Sequence, residues 1–375
     1  MQTTQNRSTI QKIKVAKFGG SSVADATQFK KVKDIVLSDP SRKIIIISAA
    51  GKRDFRDYKI TDLLYLCHAH ITYGVPCDDI FKKIRDRFIE IRDNLGLNNL
   101  GLNNSDISNL DCSFDIESEL DALQDKLNSK QNKDISVDEL VSRGEYFTSR
   151  LMAEYLGYRF IDASDCIFMD YDGSFIPGKI AQAVEGALAQ ALSDGVGLVI
   201  PGFYGSLPSG KIKVMSRGGS DITGSLVAAA CNADIYENWT DVSGILMADP
   251  RIVQNPSPIS EITFAELREL AYMGASVLHE DSVAPVKEVG IPINIRNTND
   301  PSHPGTLIVD RVDPADVDND RFITGISGKL FNALGQQGIN IRTIAQGSDE
   351  LAIIVGVDNT QFEATVRTLY NSFAV

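Results

Sequence analysis

Residues 216–221 (SRGGSD) have the side chains of a site that binds an anion and a cation side by side. Their two adjacent glycines let backbone N–H groups come close to an anion. The small residues at 225–230 predict a helix after the glycines, with its positive end pointing to the same place. Arg217 adds a planar fork of donors for a carboxylate or a phosphate, and Asp221 adds a negative charge beside it. These charges suit an amino acid, and nucleotide phosphates fit nearby.

A second glycine motif, KFGGSS, occupies residues 17–22 directly after an apolar run. Lys17 can reach a phosphate as a point charge, while Gly19 and Gly20 admit the phosphate to the backbone. The motif is not a Walker A loop, because GxxxxGK[ST] does not occur in the chain. Taken alone, it fits an ordinary strand-to-helix turn with a solvated lysine better than a phosphate site.

A third segment rich in polar and charged residues is WTDVSGILMADPR at residues 239–251. Thr240 and Asp241 offer hydrogen-bonding groups to a nucleotide, and Arg251 offers a positive charge to its phosphates. A strand end followed by a turn that closes at Asp-Pro explains the same residues equally well.

Short apolar runs separated by helical patterns must position these motifs. Four runs predict buried strands, at residues 13–18, 43–48, 197–201 and 234–239. Helices are predicted at residues 27–37, 80–94 and 140–156. This alternation predicts an α/β fold with a mainly parallel central sheet covered on both faces. Ligands of such sheets lie beyond the carboxyl ends of the strands, where this chain has Gly, Ser, Thr and Asp.

The C-terminal part of the chain predicts a separate small module. An acidic, proline-containing linker at residues 311–321 divides residues 1–310 from residues 322–375. After the linker the pattern predicts a strand, a helix, two strands and a helix, at residues 322–327, 329–336, 339–344, 351–357 and 360–373. This β-α-β-β-α order is typical of a ferredoxin-like α+β module.

Composition excludes several classes of function. The net charge of −13 argues against a nucleic-acid partner, because duplex binding needs a basic face. No apolar run approaches the roughly 20 residues that span a bilayer, and residues 1–11 lack an apolar signal-peptide core, so a cytoplasmic protein without a membrane partner is expected. The five cysteines are scattered without a CxxC pair, which predicts neither a disulfide framework nor a zinc site.

Several segments, in this order along the chain, carry a resemblance to a known family. They are KFGGSS at 17–22, ELVSRGE at 139–145, SRGGSDITGSLVAAA at 216–230, WTDVSGILMADPR at 239–251 and GASVLHEDSVAPV at 274–286. Together they resemble the aspartate kinase (aspartokinase) branch of the amino-acid kinase family. The tail, INIRTIAQGSDELAI at 339–353, resembles the regulatory ACT module of the same enzymes.

The resemblance implies a three-layer α/β/α sandwich with the acceptor amino acid and ATP side by side, followed by an ACT-like module. The implied reaction is phosphorylation of the β-carboxylate of L-aspartate by Mg-ATP, the first step toward lysine, threonine and methionine. ATP is expected to carry the Mg²⁺, with no metal site made by protein side chains alone. A carboxylate acceptor is ionised at pH 7 and needs no general base, so charge neutralisation is the main catalytic task.

The resemblance also implies roles for individual residues. Lys17 is expected to contact the transferring phosphate, with Asp221 as the second catalytic residue. Glu145 is expected to meet the α-ammonium of aspartate, and Arg217 its α-carboxylate. The expected substrate-binding residues are Ser48, Thr61, Glu145, Arg217, Gly218, Gly219 and Ser220. The expected nucleotide-binding residues are Lys17, Gly19, Gly20, Ser21, Thr240, Asp241, Leu246, Asp249, Arg251, Ser276 and Val277.

The chain departs from the family pattern in two places. Ser276 stands where many relatives have lysine. The tail has room for about one ACT module where the family usually carries two, so we expect a truncated regulatory module that pairs with a second chain. A homodimer with weak or absent feedback by lysine or threonine follows from that expectation.

Two alternatives stay open at this point. Another amino-acid kinase, acting on glutamate or acetylglutamate, has the same kind of nucleotide segment, although GASVLHE and the ACT-like tail favour aspartate. A non-catalytic amino-acid sensor could retain the fold. The retention of Lys17, Arg217, Asp221 and Asp241 speaks against a sensor, which needs no phosphoryl-transfer groups.

Overall fold

The computed structural model describes residues 12–99, 114–128, 135–216, 218–272, 278, 280–311, 323–346 and 352–374. The strands are β1 (Lys14–Phe18), β2 (Arg42–Ile47), β3 (Arg159–Phe160), β4 (Leu198–Pro201), β5 (Tyr204–Ser206), β6 (Ile212–Val214), β7 (Ile235–Thr240), β8 (Glu261–Thr263), β9 (Ile293–Asn297), β10 (Thr306–Val309), β11 (Ile341–Gln346) and β12 (Ile353–Val357). The helices are α1 (Ala26–Leu37), α2 (Ile60–Thr72), α3 (Asp78–Leu95), α4 (Ile116–Asn128), α5 (Val137–Leu156), α6 (Ala163–Cys166), α7 (Pro177–Ser193), α8 (Gly219–Ala230), α9 (Phe264–Tyr272), α10 (Glu280–Glu288), α11 (Ile323–Gln336) and α12 (Phe362–Phe373).

Eight of the strands in the described part of the chain form one central sheet, in the order β3-β4-β2-β1-β7-β9-β10-β8. Only the β9–β10 pair is antiparallel within this sheet, as far as the structure describes it. Successive side chains of β2 point to opposite faces. Ile45 and Ile47 pack into a core with α1 to α5, while Ile44 and Ile46 pack into a second core with α6 to α10. The predicted three-layer α/β/α sandwich is confirmed.

A buried ion pair links two strands of this sheet. Arg42 Nε of β2 donates to Glu237 Oε2 of β7 over 2.7 Å, and both side chains are buried. Trp239 Nε1 donates to the same carboxylate over 2.9 Å. The pair replaces the hydration that both charges lose in the core, so removal of one partner leaves an uncompensated charge.

We therefore expect Glu237→Gln to lower the free energy of unfolding by about 3 kcal/mol. Urea denaturation of the purified variant measures this loss. Asp86→Asn removes the carboxylate of an exposed ion pair with Lys82 and should cost less than about 1 kcal/mol. A similar loss in both variants would show that the buried ion pair contributes no more to the free energy of unfolding than the exposed one.

The tail differs from its prediction at one element. Residues 323–327, expected as part of a strand, belong to α11, which continues without a break to Gln336. Ile323, Ile326 and Leu330 recur at spacings of three and four and continue to Leu334, so the apolar period is helical and no turn separates a strand from the helix. The two strands predicted at residues 339–344 and 351–357 are present as β11 and β12, which the structure pairs antiparallel, and α12 follows them.

The C-terminal tail contacts the preceding part of the chain, near residues 252–257, through α12. Ser257 donates its backbone N–H to Tyr370 Oη over 2.7 Å, and Arg367 Nε donates to Ile252 O over 2.9 Å. Residues 312–322 lie outside the described residues, so the boundaries at 310, 321 and 322 stay predictions. Among the helices described, none combines the length and the apolar character that a membrane crossing requires.

Candidate active site

A cleft of about 810 Å³ opens at the carboxyl ends of β1, β2, β4 and β7. This is the edge of a parallel sheet at which ligands bind in folds of this kind. The sequence-predicted residues that line it are Lys17, Gly19, Gly20, Ser21, Ser48, Thr61, Glu145, Gly218, Gly219, Ser220, Asp221, Thr240 and Asp241. Segments that are more than two hundred residues apart in the chain, such as those of Lys17 and Asp241, are therefore neighbours in the fold.

The two glycine-containing loops at the floor of the cleft touch backbone to backbone. Gly51, after β2, donates its N–H to Gly20 O, after β1, over 2.9 Å. A Cβ atom added to Gly51 would lie 2.6 Å from the carbonyl carbon of Gly20, and one added to Gly20 would lie 2.9 Å from Ala49 O. Neither position accepts a side chain, because the neighbouring atoms belong to the main chain. The close approach leaves the backbone of both loops accessible to an anionic ligand.

Lys17 lies beside this floor, at the end of β1, and its side chain is largely buried. Its Nζ lies 2.6 Å from Asp221 Oδ1 in the first turn of α8. Asn238 of β7 donates to the same carboxylate oxygen over 2.9 Å. Asp221 thus fixes the direction of the ammonium group and compensates its charge. A phosphate that enters the cleft would meet a lysine already oriented toward it.

The SRGGSD motif forms the N-terminus of α8, as the sequence predicts. Gly218 has the left-handed conformation, with φ of 74°, and Gly219 begins the helix. A Cβ atom on Gly219 would lie 2.7 Å from the ring of Phe203. The first backbone N–H groups of this 12-residue helix face the cleft and favour negative charge there. Arg217 lies outside the described residues, so its contact with an α-carboxylate stays a prediction.

Glu145 of α5 is a buried carboxylate in the wall of the cleft. Its side chain is 4% exposed, and Oε2 has no hydrogen-bond partner. Burial disfavours the charged form and raises the pKa of Glu145 from its ordinary value of 4.5 to about 8. A buried carboxylate without a cationic partner is complementary to a ligand that brings an ammonium group.

Some predicted nucleotide residues do not line this cleft. The Arg251 guanidinium pairs with Asp249 over 2.5 Å, and 88% of the Arg251 side chain is exposed. Leu246 lies on the same surface segment, where it pairs with Pro258. Ser276 and Val277 lie outside the described residues. The nucleotide role of these residues stays a prediction.

Several residues of the cleft had no role in the sequence-based prediction, namely Ala49, Ala50, Gly51, Lys52, Lys59, Tyr65, Phe203 and Met215. Ser216, which also lines the cleft, belongs to the predicted SRGGSD motif. Lys52 and Lys59 delimit a charged run that has the pattern of a solvated loop, so the sequence gives no sign of their position. Phe203 has φ of 79°, which is rare for a residue with a side chain. Such backbone strain persists where the surrounding structure imposes it, often at functional sites.

No group of three or more potential metal-ligating side chains occurs among the described residues. Asp221 and Asp241 nevertheless bring carboxylate oxygens, the ligands that Mg²⁺ prefers, to the edge of the cleft where Lys17 lies. These donors fit a Mg²⁺ ion that is held mainly by the phosphates of a nucleotide.

Comparisons with known proteins agree with this geometry. Residues 12–297 match the model of the amino acid kinase family, and residues 320–373 match an ACT domain. Aspartokinase 3 of Bacillus subtilis is 35% identical over 80% of this chain and 64% of its own length. The structure of Clostridium acetobutylicum aspartate kinase is 39% identical with a TM-score of 0.81, over 97% of this chain and 99% of that one.

A further solved structure carries ligands. It is Escherichia coli aspartokinase III in complex with aspartate and ADP, 26% identical with a TM-score of 0.67, over 93% of this chain and 79% of that chain. The present chain spans just under two thirds of the Bacillus protein. The family matches, together with the cleft at the carboxyl ends of β1, β2, β4 and β7, establish that the chain belongs to the aspartokinase branch of the amino acid kinase family.

Proposed function

We propose that this protein is an aspartate kinase, which transfers the γ-phosphoryl group of ATP to the β-carboxylate of L-aspartate and forms 4-phospho-L-aspartate. The observation that carries the proposal is the pairing of two unlike ends in one cleft. One end has Lys17, two glycine loops and the N-terminus of α8, which suit phosphates. The other has the buried carboxylate of Glu145, whose Oε2 has no hydrogen-bond partner and which suits an ammonium group. The names of the related enzymes, and the aspartate and ADP bound to one of them, support it.

The chemistry needs positioning and charge neutralisation more than proton transfer. The attacking β-carboxylate is ionised at pH 7, so its obstacle is repulsion from the triphosphate. Lys17 and the first N–H groups of α8 provide positive charge where that repulsion is greatest. Asp221 holds Lys17 in place before the substrates bind. Mg²⁺, when bound with ATP near Asp221 and Asp241, supplies further charge neutralisation on the phosphate oxygens.

Substrate selection follows from the opposite end of the cleft. Glu145 binds the α-ammonium group, and Arg217 binds the α-carboxylate as a planar fork. Ser48, Thr61, Gly218, Gly219 and Ser220 complete the aspartate site. The nucleotide lies toward Gly19, Gly20, Ser21, Thr240 and Asp241, with Leu246, Asp249, Arg251, Ser276 and Val277 as its outer contacts. Because the reaction consumes ATP, we also propose a cytoplasmic location.

ADP release in the presence of different acceptors tests the proposal. L-aspartate should stimulate release at least tenfold more than L-glutamate or N-acetylglutamate, and hydroxylamine should trap the acyl phosphate as a hydroxamate. Preference for glutamate or acetylglutamate would assign the chain to another amino-acid kinase. Aspartate binding without ADP release or hydroxamate would identify a non-catalytic sensor.

We also propose that the tail mediates a homodimer. β11 and β12 form a two-stranded sheet, which is marginally stable alone. Ile344 and Ile354, on these strands, are 54% and 43% exposed. Ile344 and Ile354 lie on opposite faces, since Ile344 is opposite Val355 and Ile354 is opposite Ala345. A second copy of the same strand pair, joined edge to edge, would extend the sheet and cover part of the apolar surface on each face.

We expect light scattering to give the mass of a dimer, and Ile344→Asp to shift the equilibrium toward monomer. Because α11 runs through residues 327 and 328 without the loop on which an effector site of such a module would draw, lysine or threonine at millimolar concentration should inhibit the activity by less than half. Asn332→Asp adds the same charge to an exposed position of α11, outside the two strands, and should leave the dimer intact. A monomeric parent protein, or strong inhibition by either amino acid, would contradict this expectation.

A further inference from the structure

Arg87 is a buried arginine that does not line the cleft. It belongs to α3, and its side chain is only 4% exposed. Its neighbours on the helix, Ile84, Phe88 and Ile91, are core residues. A guanidinium in such surroundings loses its hydration, so it must be held by several good partners to be tolerated there.

The partners of Arg87 come from the loops that build the phosphate end of the cleft. Its Nη1 donates to Gly51 O over 3.0 Å and lies 3.3 Å from Ala24 O. Its Nη2 donates to the carboxylate of Asp57. Ala24 ends the glycine turn after β1, and Gly51 belongs to the loop after β2. One side chain therefore bridges both loops from behind the cleft.

Asp57 extends this bridge to the segment between the second loop and α2. Its Oδ2 accepts from the Arg53 N–H over 2.9 Å and from Arg53 Nε over 3.0 Å. Arg53 Nη1 in turn donates to Glu90 of α3 over 2.7 Å. The segment is otherwise open to solvent, as the 84% exposure of Phe55 illustrates. Its ends carry Lys52 and Lys59, which line the cleft.

Other hydrogen bonds hold each loop to its own surroundings: Gly19 donates its N–H to Trp239 O over 3.0 Å, and Ala50 donates its N–H to Thr148 Oγ1 over 3.2 Å. Gly20 and Gly51 meet through the backbone, with one hydrogen bond between them and no side chains to interlock. A displacement of Gly51 O would therefore move the Gly51 N–H and, through it, Gly20. A misplacement of about 1 Å at a reacting centre can cost about a hundredfold in rate.

We propose that Arg87 is a positioning residue for phosphoryl transfer: by bonding Gly51, Ala24 and Asp57 together, it fixes the two glycine loops and the lysine-bearing segment relative to one another. The proposal rests on the proposed kinase function. Arg87 touches neither substrate, and it acts only through the loops that do.

Three variants test the proposal in the full-length protein. Arg87→Met should lower kcat at least tenfold, with the KM values for ATP and aspartate changing less than threefold. Arg87→Lys retains the charge but lacks the fork that reaches three partners, so its kcat should lie between those of Arg87→Met and the parent. Asp57→Asn removes the ionic partner and should also lower kcat. Arg85→Met is the matched control, because Arg85 lies two residues away on α3 and pairs with exposed Asp121.

Hydrogen exchange separates this idea from the proposed function, since it needs no turnover. In Arg87→Met and Asp57→Asn, amides of residues 19–24 and 49–57 should exchange at least tenfold faster, while those of α7 should not change. Unaltered kcat in Arg87→Met and Arg87→Lys, or acceleration spread evenly over the protein, would overturn the positioning role. If the parent protein lacks kinase activity but hydrogen exchange in the loops responds as expected, Arg87 does hold the loops together and the proposed function is wrong.

Discussion

Replacing Lys17 by methionine is expected to lower kcat about 10³-fold, while the KM values for ATP and aspartate change less than about threefold. The reason is that the partner of Lys17 in the reaction is charge on the moving phosphoryl group, which is greatest in the transition state. Asp221 holds the ammonium group at 2.6 Å, so the protein itself fixes the direction of the lysine side chain.

Steady-state kinetics of Lys17→Met, with both substrates varied, measure this effect. Lys82→Met is a suitable control because Lys82 is an exposed lysine on α3, paired only on the surface with Asp86. Normal kcat with altered KM alone would show that Lys17 is a binding residue or a bystander.

Glu145→Gln is expected to raise the KM for aspartate about a hundredfold and to remove a proton release that accompanies aspartate binding. With a pKa of about 8, the carboxyl group of Glu145 is mostly protonated at pH 7 when no ammonium group lies beside it. The ammonium group of bound aspartate favours the carboxylate and lowers that pKa. Binding at pH 7 should therefore release close to one proton, and apparent affinity should increase as pH rises toward 8.

The same shift predicts the effect of pH on stability. The pKa of Glu145 is higher in the folded protein than its ordinary value of 4.5, so its contribution is most favourable below about pH 4.5. This contribution to the free energy of unfolding is lost as pH rises from about 4.5 through about 8, because in that range the carboxyl group is ionised in the unfolded chain but still protonated in the folded protein. Saturating aspartate should offset part of this loss.

Calorimetric titration with aspartate in two buffers of different ionisation enthalpy counts the protons released. Glu139→Gln, at an exposed position of the same helix, serves as the control and should retain the release. Equal proton release in Glu145→Gln and the parent protein would show that another group titrates.

The strands that build the cleft were predictable because each has a strong local signal. β1, β2, β4 and β7 are apolar runs that end in small or polar residues, and their predicted positions agree with the structure within two residues. The shorter β5, β6 and β8 have three residues each, too few to show a period. The strand predicted at 322–327 was wrong for residues 323–327, because a helical apolar period runs through them into α11.

The site was predictable where its residues lie in glycine motifs and unpredictable where tertiary structure makes it. Lys17 and Asp221 each lie in a motif, and the fold brings them together. The charge of Arg87 suggests an exposed residue, although position 87 lies three residues after Ile84 and four before Ile91, on the apolar face of α3. The burial that raises the pKa of Glu145, and the lack of a partner for its Oε2, also depend on the packing of α5 against other elements.

The backbone contact between Gly20 and Gly51 has a consequence for how this protein can change over time. At both positions the requirement is for no side chain at all, so nineteen of the twenty amino acids are excluded whatever their chemistry. A saturation-mutagenesis library selected for growth should return glycine at 20 and 51. Variants that accept a new acceptor should instead carry their changes at Lys59, Tyr65 and Met215, whose side chains form the replaceable part of the wall. We therefore expect the two glycines to stay unchanged in evolved variants, while substitutions in the wall of the cleft change which acceptor the site prefers.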